Sequence, residues 1–184
     1  MIQPINNLYM RTTDAIARVA DAWLMGLLAR LIFAAVLFFY FFNSAMTKFD
    51  GGPLAIADAA YFQIVPPIVE AAGYDTAQVA FFPWGLIVHA GTYAEVILPI
   101  FILLGLLTRL AAVGMIGFTV VQSYVDIAFH GVDDATIGAW FDNLSNAVIL
   151  DQRALWVFLF AYLAFKGAGK LSLDFLIARG LRGQ

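Results

Sequence analysis

Four long apolar segments, separated by more polar stretches, dominate the sequence pattern. They cover residues 24–42, 84–107, 110–129 and 150–168. A helix needs about 20 predominantly apolar residues to cross the hydrocarbon core of a bilayer, and each segment is close to that length. The pattern therefore predicts an all-α integral membrane protein, a four-transmembrane-helix bundle that forms a single membrane domain over residues 1–184.

The connections between these segments differ in length and in composition. A short turn at residues 105–109 joins segments two and three, which predicts a tight helical hairpin. Glycine and proline break the longer connection 43–83, and the stretches 54–65 and 68–72 between the breakers fit short interfacial helices. The connection 130–152 is acidic and carries aromatic residues suited to the membrane interface.

Positive charge is distributed unevenly between the two ends of the predicted bundle. One end carries Arg11, Arg18, Arg109, Lys166, Lys170, Arg179 and Arg182, whereas the other carries Lys48 and Arg153. Lys and Arg are concentrated in the cytoplasmic loops of membrane proteins. We therefore expect both termini and the hairpin turn in the cytoplasm, with the chain as a multi-pass protein of a bacterial inner membrane. The segment 1–22 is then a cytoplasmic one, either an amphipathic helix along the membrane surface or a loosely ordered tail.

Composition supports the membrane assignment and narrows the chemistry. Hydrophobic residues make up 62% of the chain and charged residues only 12%, which is atypical of a soluble domain. The net charge is −3 and no cluster of Lys and Arg is present, so we expect no nucleic-acid partner. The chain has no cysteine, which excludes disulfides and thiolate-held metal centres, and no other metal site is predicted.

Ionisable residues inside the spans mark candidate sites, because each costs about 2.5–3.5 kcal/mol on insertion scales. Glu95 lies near the middle of segment two, and Arg30 lies in the cytoplasmic half of segment one, at a depth that long side chains can bridge. We predict either a buried ion pair between them that fixes packing or a protonatable carboxylate beside a ligand. Lys48 is expected to snorkel to the outer interface or to face an anionic or carbonyl-bearing ligand.

A polar stripe follows segment three at helical spacing. It consists of Thr119, Gln122, Asp126 and His130. His89 lies at a comparable depth, so His89, Lys48 and the stripe predict a cavity open to the outer side. The alternatives are a solvated helix end for His130 and a packing pair with Tyr93 for His89. Ligation of a haem by the two histidines is a further alternative.

The positions of these residues resemble the DoxX family of small bacterial four-helix membrane proteins. That family has an arginine early in helix one, a lysine at its end, a glutamate in helix two and a hairpin turn similar to GLLTRLAA. The matching residues here are Arg30, Lys48, Glu95, Gly105, Thr108 and Arg109. The resemblance covers residues 24–165 and gives the last three a structural role in the turn.

The resemblance also implies a function, since some relatives are described as subunits of a thiosulfate:quinone oxidoreductase. It implies a membrane subunit of a redox system that interacts with a quinone and has no covalently bound cofactor. The ligand-binding candidates are Arg30, Lys48, His89, Glu95, Gln122 and Asp126. If the chain is part of an enzyme, it is an oxidoreductase subunit without a thiol or metal centre of its own. Besides the lipid bilayer, its expected partner is another subunit or a second copy of itself.

Two other functions fit the same residues. The chain could serve as a non-catalytic membrane anchor or accessory subunit of a larger complex, with the buried charges fixing the bundle. It could also be a small proton-coupled transporter that uses Glu95, although no internal repeat supports this.

Overall fold

The computed structural model describes residues 2–182, and these fold into helices without any named strand. The helices are α1 (Ile2–Val19), α2 (Met25–Met46), α3 (Asp58–Ile64), α4 (Pro66–Ala71), α5 (Phe81–Leu104), α6 (Thr108–Phe129), α7 (Asp134–Ile137), α8 (Val148–Lys166) and α9 (Leu173–Arg182). Met1, Gly183 and Gln184, which belong to the predicted domain, lie outside the described residues.

Four of these helices, α2, α5, α6 and α8, are long and apolar enough to cross a membrane. The predicted four-helix membrane fold is therefore confirmed. The observed ends lie within about one helical turn of the predicted ones. The largest difference is at the end of α2, which continues to Met46, beyond the predicted end at residue 42.

The four long helices form a ring in which each contacts its neighbours in sequence and α8 closes back on α2. Successive helices run in opposite directions, so the start of α2, the turn between α5 and α6 and the end of α8 share one end of the bundle. This end is called the inner end, after the predicted orientation, and the opposite one the outer end.

Large side chains fill the space between the helices at the inner half of the bundle. Phe33 and Phe160 meet edge to face with ring centroids 5.9 Å apart, and Met115 and Ile102 are completely buried beside them. Lipid tails are as apolar as these side chains, so burial from lipid gives little hydrophobic driving force. The helices are therefore held together mainly by the close packing of the side chains.

The outer connections contain the two short helices expected from the sequence. The helix α4 begins at Pro66, where a proline is favoured because the first helical N–H needs no intrahelical partner. Ala60 of α3 and Val69 of α4 are fully buried and pack with Val88 of α5. This small core attaches the connection 43–83 to the outer half of α5.

Two helices flank the bundle at its inner end. The helix α1 occupies most of the predicted segment 1–22 and runs through a π-helical turn into α2. The helix α9 was not predicted from the sequence. Leu176, Ile177 and Leu181 of α9 are exposed, which gives this short helix an apolar surface outside the bundle.

Candidate functional site

A cavity of about 490 Å³ lies between α5 and α6 in the outer half of the bundle. Small residues on the facing helices make room for it. They are Ala90, Gly91 and Ala94 of α5 and Gly114 and Gly117 of α6. Leu98 packs against Gly114 at the inner limit of the cavity, and a Cβ at Gly114 would lie 2.9 Å from the Leu98 side chain. A Cβ at Gly117, by contrast, would meet no atom within 4 Å.

Two buried charges line this cavity. The Nζ atom of Lys48 lies 2.7 Å from Oε2 of Glu95, and the two side chains are only 5% and 2% exposed. Lys48 also donates hydrogen bonds to the carbonyl oxygen and hydroxyl of Ser44, at 3.2 and 3.0 Å. The Lys48–Glu95 distance is that of an ion pair, although its angles fall outside the hydrogen-bond range. The carboxylate, which can accept about four hydrogen bonds, therefore keeps capacity for a further donor.

The predicted pair between Arg30 and Glu95 is wrong. Arg30 lies instead at the last turn of α5, beside Ile102, and Glu95 is seven residues, or about 10 Å, farther out along the same helix. The interfacial position predicted for Lys48 is also wrong. Its ammonium group is buried beside Glu95, and the backbone amide of Ala57 donates a hydrogen bond to the Lys48 carbonyl oxygen.

Arg30 closes the inner end of the bundle and does not line the cavity. Its guanidinium group donates to the carbonyl oxygens of Ile102 at 3.0 Å, Leu103 at 2.6 Å and Leu171 at 2.5 Å. The last carbonyl groups of a helix have no partner within the helix, so Arg30 caps α5 and ties it to the segment before α9. Gly105 follows with φ +68°, and a Cβ there would lie 2.5 Å from Ser172 and 3.0 Å from Arg30.

The start of α6 is capped by a residue that the sequence analysis overlooked. The Asp174 carboxylate accepts hydrogen bonds from the backbone amides of Leu107, at 2.7 Å, and Thr108, at 2.9 Å. Its own amide donates to the carbonyl of Gly105 at 2.8 Å. Arg30, Gly105, Thr108, Ser172 and Asp174 thus form one inner capping cluster. An acidic residue at position 174, shortly after Gly167 and Gly169, was the sequence signal for this cap.

A second polar group lies toward the outer end of the cavity. Asp126, which lines it, accepts a hydrogen bond from Arg153 at 2.6 Å and lies 2.9 Å from Nδ1 of His130. Arg153 also donates to the hydroxyl of Ser123 at 3.0 Å and is 5% exposed. From the sequence, Arg153 was expected only as a charge at the outer end. Its position in the first turns of the fourth span, at the depth of Asp126, was the available signal.

The other candidates divide between the cavity and the surrounding packing. Gln122 and His130 line the cavity, and Gln122 donates to the Tyr40 hydroxyl at 2.9 Å. Thr119 is buried and bonds within its own helix. His89 does not line the cavity, so its predicted place there is wrong. Its Nδ1 atom contacts the carbonyl oxygen of Gly85 at 2.8 Å, within the same helix.

Comparison with known families adds one match to this geometry. The family model for DoxX matches residues 25–131, which include both members of the buried ion pair and Asp126. No curated protein and no solved structure is significantly similar to the chain. The matched residues make up more than half of the sequence. The chain therefore belongs to the DoxX family.

Proposed function

We propose that this protein is the membrane subunit of a redox system and that it binds a quinone headgroup in the cavity between α5 and α6. The observation that carries the proposal is the buried Lys48–Glu95 ion pair on the wall of an otherwise largely apolar cavity of about 490 Å³. Ligand sites in proteins typically combine an apolar lining with a few converging polar groups.

The residue types in the cavity suit both the oxidised and the reduced form of a quinone. A quinone ring requires an apolar slot, and Leu98, Phe118 and the neighbouring glycines of the lining suit one. The Lys48 ammonium group is a donor for a carbonyl oxygen. The Glu95 carboxylate is an acceptor for a hydroxyl group of the reduced form. Binding would replace part of the present Lys48–Glu95 contact with contacts to the headgroup.

A route for protons is part of the proposal. Asp126 and His130 line the same cavity, and His130 is exposed at the end of α6. Imidazole exchanges protons readily near neutral pH, so this pair supports exchange between the cavity and the solvent. Bound quinone supplies the redox chemistry. The chain has no cysteine, so thiol chemistry in such a system belongs to a partner subunit, which the proposal includes.

The direct test is quinone binding to the full chain purified in a mild detergent. Equilibrium dialysis with a short-chain benzoquinone and a short-chain naphthoquinone gives the affinity for each. Glu95→Gln and Lys48→Gln keep approximate size while removing one charge of the pair. We expect each to weaken binding at least about tenfold, the loss of one charge-assisted hydrogen bond. Asp134→Asn, at an exposed residue outside the cavity, is the control and should bind as the unaltered protein does.

Three outcomes decide the proposal. Saturable binding that depends on both Lys48 and Glu95 supports it. Binding that survives both substitutions places the quinone elsewhere and overturns the assigned site. If no quinone binds, and mass spectrometry of the purified protein finds a stoichiometric large partner without a quinone, the accessory-subunit function replaces the proposal.

A further inference from the structure

A second cavity lies at the inner end of the bundle and has a different character. It is open to the surroundings, its volume is about 540 Å³, and the start of α6, the loop 166–170 and the start of α9 border it. Three of its lining residues are cations, namely Arg109, Lys166 and Lys170. Asp174 also lines it, so the formal charge of the lining is positive. The quinone proposal uses none of these residues.

The loop on one side of this cavity is held in place by close backbone contacts. Its sequence is Lys-Gly-Ala-Gly-Lys, with two cations around two glycines. Gly169 has φ +78°, and a Cβ there would lie 2.8 Å from the carbonyl oxygen of Trp23. A Cβ at Gly26 of α2 would lie 2.8 Å from Ala168 and Gly169. Backbone therefore packs on backbone, and the loop presents its cations from a fixed position.

The opposite side of the cavity contains a buried polar atom without a partner. Thr108 is fully buried and lines the cavity, and its hydroxyl oxygen has no hydrogen-bond partner among the described residues. The Asp174 carboxylate is the one acidic group in the lining, and two backbone amides of the α6 cap already bind it. A buried hydroxyl normally finds a partner, and the described residues supply none for this one.

We propose that this inner cavity binds a phosphate group, and specifically the phosphate of an anionic phospholipid headgroup. Arg109, Lys166 and Lys170 supply the positive charge, and the Thr108 hydroxyl supplies a further hydrogen bond. Basic pockets between membrane helices on the cytoplasmic side bind anionic headgroups in this way. The start of α9 lines the cavity, and the exposed apolar side chains farther along this helix offer a surface for the acyl chains of such a lipid.

Lipid binding to the delipidated full chain in detergent tests the proposal. Native mass spectrometry during titration with phosphatidylglycerol and, separately, phosphatidylcholine gives the apparent affinity for each lipid. We expect a clear preference for phosphatidylglycerol. Lys170→Gln should weaken its binding about fivefold, and the double variant Arg109→Gln/Lys170→Gln about 25-fold, since each cation near a membrane surface contributes about that factor. Thr108→Val, which removes only the hydroxyl, should weaken it severalfold.

Arg179→Gln is the matched control, because Arg179 lies on α9 at the same end of the bundle but does not line the cavity. Its phosphatidylglycerol affinity should be unchanged. Equal binding of the two lipids, or equal losses in Arg179→Gln and Lys170→Gln, overturns the proposal. Displacement of the lipid by millimolar inorganic phosphate overturns the lipid assignment in favour of free phosphate. The exposed Lys170 variant keeps the test valid if the double variant does not fold.

Discussion

Two cations are buried in α2 and in the turn that follows it, and they have different kinds of partner. Arg30 lies near the inner end and donates to three backbone carbonyl groups. Lys48 lies near the outer end and pairs with the carboxylate of Glu95 on the wall of a cavity. Both cations are almost fully buried, so burial alone does not distinguish them.

The difference lies in the partners and teaches how to separate a structural charge from a functional one. The carbonyl groups around Arg30 cannot change charge, and two of them, those of Ile102 and Leu103, belong to the end of α5, where the last carbonyl groups lack intrahelical partners. The partner of Lys48 can gain a proton and borders a space large enough for a ligand. Arg30 is therefore expected to govern stability, and Lys48 and Glu95 to govern binding. Four substitutions test this contrast.

The largest effect is expected for Arg30→Met. It removes three hydrogen bonds from a charged donor and leaves buried carbonyl groups without partners, so we expect the free energy of unfolding to fall by about 3–5 kcal/mol. Denaturation in mixed micelles measures it. Arg30→Lys is the control, since one ammonium group cannot reach all three carbonyls and should restore only part of the loss. A variant as stable as the original chain contradicts the capping role.

Lys48→Met should cost less, about 2–3 kcal/mol, because it leaves one buried carboxylate without its cation. The double variant Lys48→Met/Glu95→Gln removes both charges and should regain most of that loss, since replacing a whole buried pair by neutral groups is often nearly neutral. The same double variant should still fail to bind quinone. Recovery of both stability and binding would show that the pair only fixes packing, as Arg30 does.

The sequence predicted the helices well because the membrane constrains them strongly. Apolar length, the hairpin turn at residues 105–109 and the short helices of the connection 43–83 are local properties, and each is found in the structure. The helix α9 was overlooked because it has only ten residues, and Asp174, Arg179, Gly180 and Arg182 interrupt its apolar residues. Its place is set by Asp174 and Arg30, which are far apart in the sequence.

Which charges pair with which could not be predicted from the sequence. Depth estimates placed Arg30 and Glu95 within reach of each other, whereas Arg30 lies level with Ile102, about 10 Å from Glu95 along α5, and Lys48 is the cation beside Glu95. Likewise, Arg153 reaches Asp126 because α6 and α8 are neighbours in the ring, and no local pattern reports that. Residue types indicated the chemistry, whereas the pairs required the tertiary structure.

Gly105→Ala perturbs the inner capping cluster by straining the backbone, and it leaves every charge of the cluster in place. A side chain at φ +68° is strained, and the new Cβ would collide with Ser172, so we expect a loss of about 1–2 kcal/mol in the free energy of unfolding. Quinone binding to the folded fraction should be unchanged. Gly180→Ala is the control, because nothing lies within 4 Å of its Cβ position. If Gly105→Ala lost quinone affinity without losing stability, the two ends of the bundle would be coupled, contrary to the expected separation of roles.

Gly117→Leu is expected to have the smallest effect on stability and a large one on binding. The position faces the cavity with no atom within 4 Å of a Cβ, so the new side chain enters empty space and the free energy of unfolding should change by less than about 1 kcal/mol. Quinone affinity should nevertheless fall sharply, because the side chain occupies the slot for the ring. Val120→Leu, on the exposed face of the same helix, is the control and should leave both quantities unchanged. Undiminished binding in Gly117→Leu would place the ligand outside the cavity and leave Lys48 and Glu95 with the same structural role as Arg30.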